Sequence, residues 1–216
     1  MLYSVLLILP RQAMMAGMRW WAAMVLLGLR WLTGVRIEVR GLEHRPTGAA
    51  LIAAKHMWML DTIAPFVFLP DVCFVLKKQL LAVPFYGWHA RKARMIAIDR
   101  DAHARALKEL VAAARDRLRE SRQIIIFPEG TRKTPGDPPD YKPGVAGLYR
   151  DLGLPCTPMA TNSGAHWPAH GIMRRPGTVV FEFLPAIPAG LKRADFMREL
   201  QAQIEAASAA LLVERI

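Results

Sequence analysis

The stretch Gln123–Arg132 reads Gln-Ile-Ile-Ile-Phe-Pro-Glu-Gly-Thr-Arg and joins an apolar run to a charged turn. A short run of branched apolar residues closed by Pro and Gly predicts a buried strand, here Gln123–Phe127. The proline ends the strand, and the glycine lets the backbone approach a ligand closely. An arginine beside a glycine turn suits a phosphate. The sequence therefore predicts that a buried strand carries Glu129 and Arg132 to a binding site, with a solvated turn as the alternative.

Other short apolar runs alternate with helical stretches along the chain. Helical periodicity covers Ala102–Glu120 and Ala194–Val213, with Asp195 as the expected N-cap of the second helix. The segment Thr131–Gly144, with four prolines and two glycines, is expected to be an irregular functional loop. This alternation predicts one α/β layered domain over residues 34–216. Its further strands are expected at Val35–Val39, Ala50–Ala54, Val72–Leu76, Met95–Ile98, Cys156–Ala160 and Val179–Leu184.

Composition narrows the class of protein. The 216 residues include 29 Lys and Arg against 18 Asp and Glu, a net charge of +11, and 53% are hydrophobic. This length and apolar content fit one folded domain and exclude a disordered chain. The positive charge predicts an anionic partner: nucleic acid, a phospholipid surface or a phosphorylated small molecule. Part of it lies in Asp71–Arg100, which holds six Lys and Arg and two Asp, although solvated surface charge also explains such a run.

The first 33 residues differ from the rest of the chain, because no acidic residue precedes Glu38. On a helix over 11–32, the three arginines fall within an arc of about 100°. The opposite side is apolar, which is typical of a helix in the membrane interface. We therefore predict a membrane-associating helical segment over residues 1–33, with a core-packing helix or a tilted span as alternatives. The residues concerned are Arg11, Arg19 and Arg30 on one side and Met15, Trp21, Val25 and Leu26 on the other.

His56 and Asp61 follow the predicted strand Ala50–Ala54, at the edge where α/β proteins place their sites. A carboxylate bound to one imidazole nitrogen fixes the tautomer and leaves the other nitrogen able to accept a proton. On a regular helix, residues five apart point about 140° from each other. The two side chains therefore meet only if His56 lies in the turn after the strand and Asp61 in the first helical turn. Such a pair also arises by chance.

Several familiar sites are absent from the sequence. It contains no G-x-S-x-G elbow, P-loop, G-x-G-x-x-G or C-x-x-C motif. His166 and His170 are spaced like metal ligands, but Pro168 lies between them and no cysteine or acidic ligand is close, so we expect no metal site. Cys73 and Cys156 lie in apolar strands, where buried thiols are expected.

Taken together, four segments resemble the glycerolipid acyltransferase family, of the 1-acylglycerol-3-phosphate acyltransferase type. His56–Asp61 matches its H-x4-D block, and Phe127–Arg132 matches F-P-E-G-T-R in full. Met95–Arg100 ends in Ile-Asp-Arg like the second block, and Leu154–Ala160 is similar to the proline-bearing fourth block. The resemblance covers Val35–Pro188. It implies a single mixed-sheet domain flanked by helices.

The resemblance also implies roles for residues. His56 would be the general base for the free hydroxyl of a lysolipid, and Asp61 would orient it. The alkoxide would attack the thioester of acyl-CoA or acyl-carrier protein, without a cofactor, a metal or a thiol. The fourth block would line an acyl-chain path. The acceptor would be held by Arg100, Glu129, Gly130, Thr131, Arg132 and Lys77.

Three positions depart from the family pattern: Lys55 replaces the common Asn, Trp58 the common Ser, and Arg94 the common Gly. Trp58 is expected to reshape the pocket beside the base. The expected acceptor is 1-acylglycerol-3-phosphate, giving phosphatidate, and lyso-ornithine lipid is the main competitor. We expect the enzyme at the cytoplasmic face of the inner membrane, without nucleic acid. A hydrolase using the same pair and a non-catalytic basic binding protein are the competing functions.

Overall fold

A computed structural model describes residues 6–99, 103–167 and 174–214, with the side chains of 103 and 104 excluded. Seven strands form one sheet in the order β1-β7-β6-β2-β5-β3-β4. All seven predicted strands are confirmed, with ends that shift by a residue or two. Their bounds are Val35–Arg40 (β1), Ala50–Ala54 (β2), Val72–Lys77 (β3), Ile96–Ile98 (β4), Gln123–Ile126 (β5), Cys156–Thr161 (β6) and Gly177–Phe183 (β7).

The sheet is mixed, as the resemblance implied. β6 and β7 run antiparallel, and every other neighbouring pair is parallel. In β2, β5 and β6 every residue is buried, which explains why these strands read as continuous apolar runs rather than as alternating ones. Because β2, β3 and β5 are parallel neighbours, their carboxyl ends meet at one edge of the sheet. We call this the carboxyl edge.

Helices flank the sheet. The two predicted long helices are confirmed, although Asp195 is not an N-cap: the last helix begins at Arg193, and Asp195 lies in its first turn and pairs with Arg198. The sequence analysis missed several shorter helices, whose residues lack a long apolar period. The helices are Arg11–Thr33 (α1), Pro65–Phe68 (α2), Tyr86–Lys92 (α3), His103–Arg119 (α4), Gly144–Leu152 (α5), Ser163–His166 (α6) and Arg193–Val213 (α7).

The N-terminal helix α1 packs on the domain, as in the alternative of a core-packing helix, and Met15, Val25 and Leu26 of its predicted apolar side contact the main core. Met14 and Ala22 are fully buried in the main core. Arg11 forms a bidentate pair with Asp71 at 2.9 and 2.8 Å, and Arg19 donates to three backbone carbonyls around α2. Two of the three arginines are thus bound to the domain, although Arg19 and Arg30 stay exposed. Several apolar side chains of α1 are exposed as well, among them Trp20, Met24, Leu27 and Trp31. Within the described residues, no helix is both long enough and apolar enough to cross a bilayer.

The segment between β5 and α5 follows the sequence prediction. From Thr131 to Pro143 it forms no helix or strand, and α5 begins at Gly144. Two backbone hydrogen bonds hold it to the sheet edge. The Lys133 amide donates to the His56 carbonyl at 2.8 Å, and the Lys142 amide donates to the Pro128 carbonyl at 2.8 Å. The loop therefore lies across the carboxyl edge, beside His56.

Candidate active site

His56 and Asp61 form a pair in the way that their spacing required. His56 lies in the turn after β2, and Asp61 lies in a 3₁₀ turn, Met59–Thr62. His56 Nδ1 stands 3.1 Å from Asp61 Oδ2, which also accepts the backbone amides of Met57 and Trp58, each at 2.7 Å. Asp61 is fully buried, whereas the His56 side chain is 15% exposed. The carboxylate therefore fixes Nδ1 as the donor and leaves Nε2 with a free lone pair.

Three further contacts hold the imidazole in place. Its ring stacks on Phe127 with centroids 4.1 Å apart. The His56 amide donates to Glu129 Oε2 at 3.0 Å, and its carbonyl accepts the amide of Lys133. The ring, the tautomer and the backbone of this residue are thus all fixed before any substrate binds.

Glu129 lies beneath the site and not on its wall. It is 1% exposed, and its Oε1 stands 2.6 Å from the Nζ of Lys55. Burial raises the pKa of Glu129, and the Lys55 ammonium opposes that rise. This position differs from the expectation that Glu129 contacts the acceptor, since the carboxylate is occupied by a lysine and by the His56 amide.

A large cavity of about 1360 Å³ opens at this edge, with His56 on its wall. Four of the residues expected to bind the acceptor also line it: Lys77, Gly130, Thr131 and Arg132. Gly130 has a φ of +68°, so the turn after β5 needs the left-handed conformation that glycine adopts without strain. Most of the remaining wall is apolar, including Met18, Trp21, Phe66, Phe74, Leu76, Ile98, Leu107 and Leu110. The cavity suits a ligand with a long apolar portion and an anionic end.

The expectation that the fourth block lines an acyl path is wrong. Residues Cys156–Thr161 form β6, which is buried between β2 and β7 in the middle of the sheet. None of residues 154–160 is part of the cavity wall. The apolar lining comes instead from α1, β3, α3 and α4, because these elements surround the carboxyl edge.

Trp58 acts on the site indirectly. Its ring packs against Trp167 with centroids 6.0 Å apart, and it does not line the cavity. The guanidinium of Arg132 lies over the Trp58 ring, 5.1 Å from its centroid. Among the described residues Arg132 forms no ion pair with a carboxylate, so its charge is held by a ring face and not neutralised. An arginine in this state can bind an anionic group in the cavity.

Comparison with known proteins decides the family. A family model described as Acyltransferase matches residues 36–162, more than half of the chain. A 1-acyl-sn-glycerol-3-phosphate acyltransferase of Pseudomonas aeruginosa is 37% identical over 180 residues, covering 82% of this chain and 70% of that protein. The chain belongs to the acyltransferase family.

Other relatives and a solved structure agree with this assignment. Proteins of the same name match from Helicobacter pylori, 38% identical over 49% of this chain and 44% of the relative, and, as its alpha form, from Mus musculus, 31% over 65% and 50%. This chain thus spans about half the length of these two relatives. The crystal structure of PlsC from Thermotoga maritima superposes with a TM-score of 0.76 and 19% identity, covering 94% of this chain and 82% of that one. That likeness confirms the fold.

Some predicted residues of this acyltransferase cannot be placed. Arg100 and His170 lie outside the described residues, so the predictions on them remain predictions.

Lys77 ends β3 and lies exposed on the cavity wall. Cys73 and Cys156 are free and buried, and burial raises the pKa of Cys156 to about 12.

Sequence reasoning missed the ionic group behind His56. Lys55 is 4% exposed and also binds Glu205 of α7, whose carboxylate accepts the Tyr141 hydroxyl at 2.9 Å. The replacement of the family's Asn by Lys55 was the one available signal, because a lysine after a buried strand requires an acidic partner. Nothing in the local sequence identified Glu205, which lies 150 residues away.

Proposed function

We propose that this acyltransferase moves a fatty acyl group from acyl-CoA or acyl-carrier protein to the free hydroxyl of a lysophospholipid. The proposed acceptor is 1-acylglycerol-3-phosphate, and the product is phosphatidate. The observation that carries the proposal is the His56–Asp61 pair on the wall of an apolar cavity that also holds Arg132. The names of the similar proteins favour the same acceptor.

His56 acts as the general base in this proposal. Nε2 takes the proton of the acceptor hydroxyl while the hydroxyl oxygen attacks the thioester carbonyl carbon. An ester bond forms, the carbon–sulfur bond breaks, and the imidazolium returns its proton to the leaving thiolate. Asp61 keeps Nδ1–H in place and stabilises the imidazolium as it forms. Neither of the two buried cysteines lines the cavity, so their thiols take no part in the proposed reaction.

The charged and apolar parts of the cavity have separate tasks. Arg132, with Lys77, binds the phosphate of the acceptor, since a guanidinium pairs well with phosphate oxygens. Gly130 and Thr131 shape the turn beside them. Glu129 supports the His56 amide from below rather than binding the acceptor. The apolar wall accommodates acyl chains.

Membrane binding by α1 is part of the proposal. Two of its tryptophans, Trp20 and Trp31, are 57% and 79% exposed. On the same helix Met18 and Trp21 line the cavity, so the exposed apolar side lies beside the opening. A lysolipid would pass from the bilayer into the cavity without crossing water. We place this surface on the cytoplasmic face of the inner membrane, where thioester donors are available.

The test is product analysis with purified protein, one acyl-CoA and three acceptors: lysophosphatidate, lyso-ornithine lipid and lysophosphatidylcholine. Mass spectrometry should detect phosphatidate, with thiol release that depends on lysophosphatidate. Acylated lyso-ornithine lipid as the main product would overturn the acceptor. Free fatty acid as the main product would show a hydrolase, and no thiol release with any acceptor or with acyl-carrier protein as donor would favour a binding protein.

A further inference from the structure

Behind the His56–Asp61 pair lies a second buried cluster that the proposed reaction does not use. The Lys55 ammonium stands 2.6 Å from Glu129 Oε1 and 2.7 and 2.9 Å from the two carboxylate oxygens of Glu205. The Tyr141 hydroxyl donates to Glu205. We call Lys55, Glu129, Glu205 and Tyr141 the rear cluster.

The rear cluster joins four parts of the chain. Lys55 follows β2, Glu129 lies in the turn after β5, Tyr141 belongs to the loop over the carboxyl edge, and Glu205 lies on α7. It reaches the base in two ways: Lys55 directly precedes His56 in the chain, and the Glu129 carboxylate accepts the His56 amide at 3.0 Å. Any shift of Glu129 therefore moves the backbone that carries the base.

The charges of the rear cluster depend on one another. Burial raises the pKa of Glu129, and Lys55 opposes this, while the neighbouring Glu205 adds to the rise. For Lys55, burial lowers the pKa, but hydrogen bonds to Glu129 and Glu205 outweigh it and raise the pKa overall. Burial and the nearby Glu205 raise the pKa of Tyr141, so its hydroxyl stays protonated and donates. One buried cation thus pairs with two carboxylates, and removing it leaves the buried Glu129 without an ionic partner.

We propose that Lys55, Glu205 and Tyr141 are positioning residues, which hold Glu129 in place so that its carboxylate fixes the backbone of His56. The inference rests on the proposed role of His56 as general base. It also makes α7 part of the working site, although no residue of α7 beyond its first, Arg193, lines the cavity. In this chain Lys55 occupies a position where the family resemblance predicts a neutral Asn.

A double-mutant cycle tests whether the cluster acts as a unit. Lys55→Asn should lower kcat by roughly 10- to 100-fold with little change in KM, because the base is displaced while the cavity is intact. Adding Glu205→Gln should restore part of kcat, since it removes one of the two uncompensated carboxylates. Tyr141→Phe should have a smaller effect in the same direction. Glu214→Gln is the matched control, because it breaks an exposed ion pair with Arg40 just beyond the end of α7 and should leave kcat unchanged.

The pH profile separates positioning from general loss of structure. Without Lys55, the pKa of Glu129 rises further, so its carboxylate takes up a proton at higher pH than in the wild type. A neutral carboxyl is a weaker acceptor for the His56 amide. The acidic limb of kcat should therefore lie at higher pH in Lys55→Asn than in the wild type, and return toward the wild-type position in the double variant.

A measurement without substrate keeps this inference separate from the proposed function. In histidine-labelled protein, the ¹⁵N shifts of His56, assigned by their loss in His56→Ala, should show one fixed tautomer in the wild type and a mixture in Lys55→Asn. Unchanged His56 shifts, or effects of Lys55→Asn and Glu205→Gln that multiply independently, would overturn the inference. Absence of acyl transfer by the wild type would instead overturn the proposed function, while the shifts would still decide this one. If Lys55→Asn does not fold, Glu205→Gln and Tyr141→Phe give the same two readouts.

Discussion

Opposite the carboxyl edge lie the amino ends of β3 and β5, which we call the amino edge. Both edges carry buried charged groups, but these groups have different roles. At the amino edge, the fully buried Arg122 donates to Asp71 and to the carbonyls of Val72 and Arg94. Asp71 in turn holds Arg11 of α1. None of these residues lines the cavity. At the carboxyl edge, His56 is fixed as firmly but keeps one nitrogen free on a cavity wall.

This difference shows what separates a structural charge from a functional one. At the amino edge the guanidinium of Arg122 donates through all three of its nitrogens, so the group can only stabilise. At the carboxyl edge the supporting groups are paired, while Nε2 of His56 and the guanidinium of Arg132 are left to act on a ligand. Changes at the carboxyl edge should therefore cost activity, and changes at the amino edge should cost stability.

The largest effect on activity among the support residues is expected for Asp61→Asn. All three contacts converge on Oδ2, so an Asn oxygen at that place still accepts them, but the neutral amide no longer stabilises the imidazolium that forms on His56. We expect kcat to fall by roughly 10²- to 10⁴-fold. Steady-state thiol release measures it, with circular dichroism to confirm folding. Wild-type kcat in this variant would break the contrast between the two edges.

At the amino edge, Arg122→Met should lower stability while leaving chemistry intact. It removes a buried partner of Asp71 and one hydrogen-bond donor from each of two carbonyls, which costs about 3–5 kcal/mol and lowers Tm by roughly 6–20 °C. Thermal unfolding checks this, with kcat measured well below Tm. The matched control is Arg105→Met, which breaks the exposed pair with Glu109 and should not change Tm measurably. A large loss of kcat with unchanged Tm would contradict the assignment of this edge.

The helix α1 connects the two edges, because Arg11 is bound at one and Met18 lines the cavity at the other. Replacing Trp20 and Trp31 by Ser should weaken binding to anionic vesicles by roughly tenfold per tryptophan. Sedimentation with vesicles measures it, and turnover of a lysolipid below its micellar concentration should stay near wild type. Val213→Ser, which removes an exposed apolar group at the end of α7, is the control. Equal vesicle binding by the wild type, the double tryptophan variant and Val213→Ser would contradict the proposal that α1 binds the membrane.

The smallest effect on activity is expected from treatment with a thiol reagent. Burial raises the pKa of Cys156 to about 12 and also raises that of Cys73, so almost no thiolate exists at pH 8. Treatment of the folded protein with N-ethylmaleimide should leave both thiols unmodified, by intact mass, and leave kcat unchanged. Stoichiometric modification that stops turnover would point to a covalent acyl-thiol route in place of direct attack.

Local patterns in the sequence were enough to predict the sheet and the central pair. The strands β2 and β5 are short apolar runs ended by charge or proline, and His56 and Asp61 follow one of them at a spacing that only one local conformation satisfies. These features depend on neighbours in sequence, so periodicity and spacing could identify them.

Features that depend on distant residues were not predictable in this way. Arg11 and Arg19 of α1 are bound to the domain, because Asp71 and the carbonyls around α2 accept hydrogen bonds from them. Leu154–Ala160 is apolar because β6 lies in the middle of the sheet, not because it contacts an acyl chain. Glu129 belongs to the F-P-E-G-T-R motif, yet its burial depends on Lys55 and on Glu205 from the far end of the chain.

The most direct test of the central claim is the kcat of His56→Ala with lysophosphatidate and acyl-CoA, measured together with its Tm. Removing the general base should lower kcat by roughly 10²- to 10⁴-fold. The Tm should stay close to that of the wild type, because His56 is partly exposed and Asp61 keeps its two backbone partners. A His56→Ala protein that is folded and turns over at the wild-type rate would contradict the account.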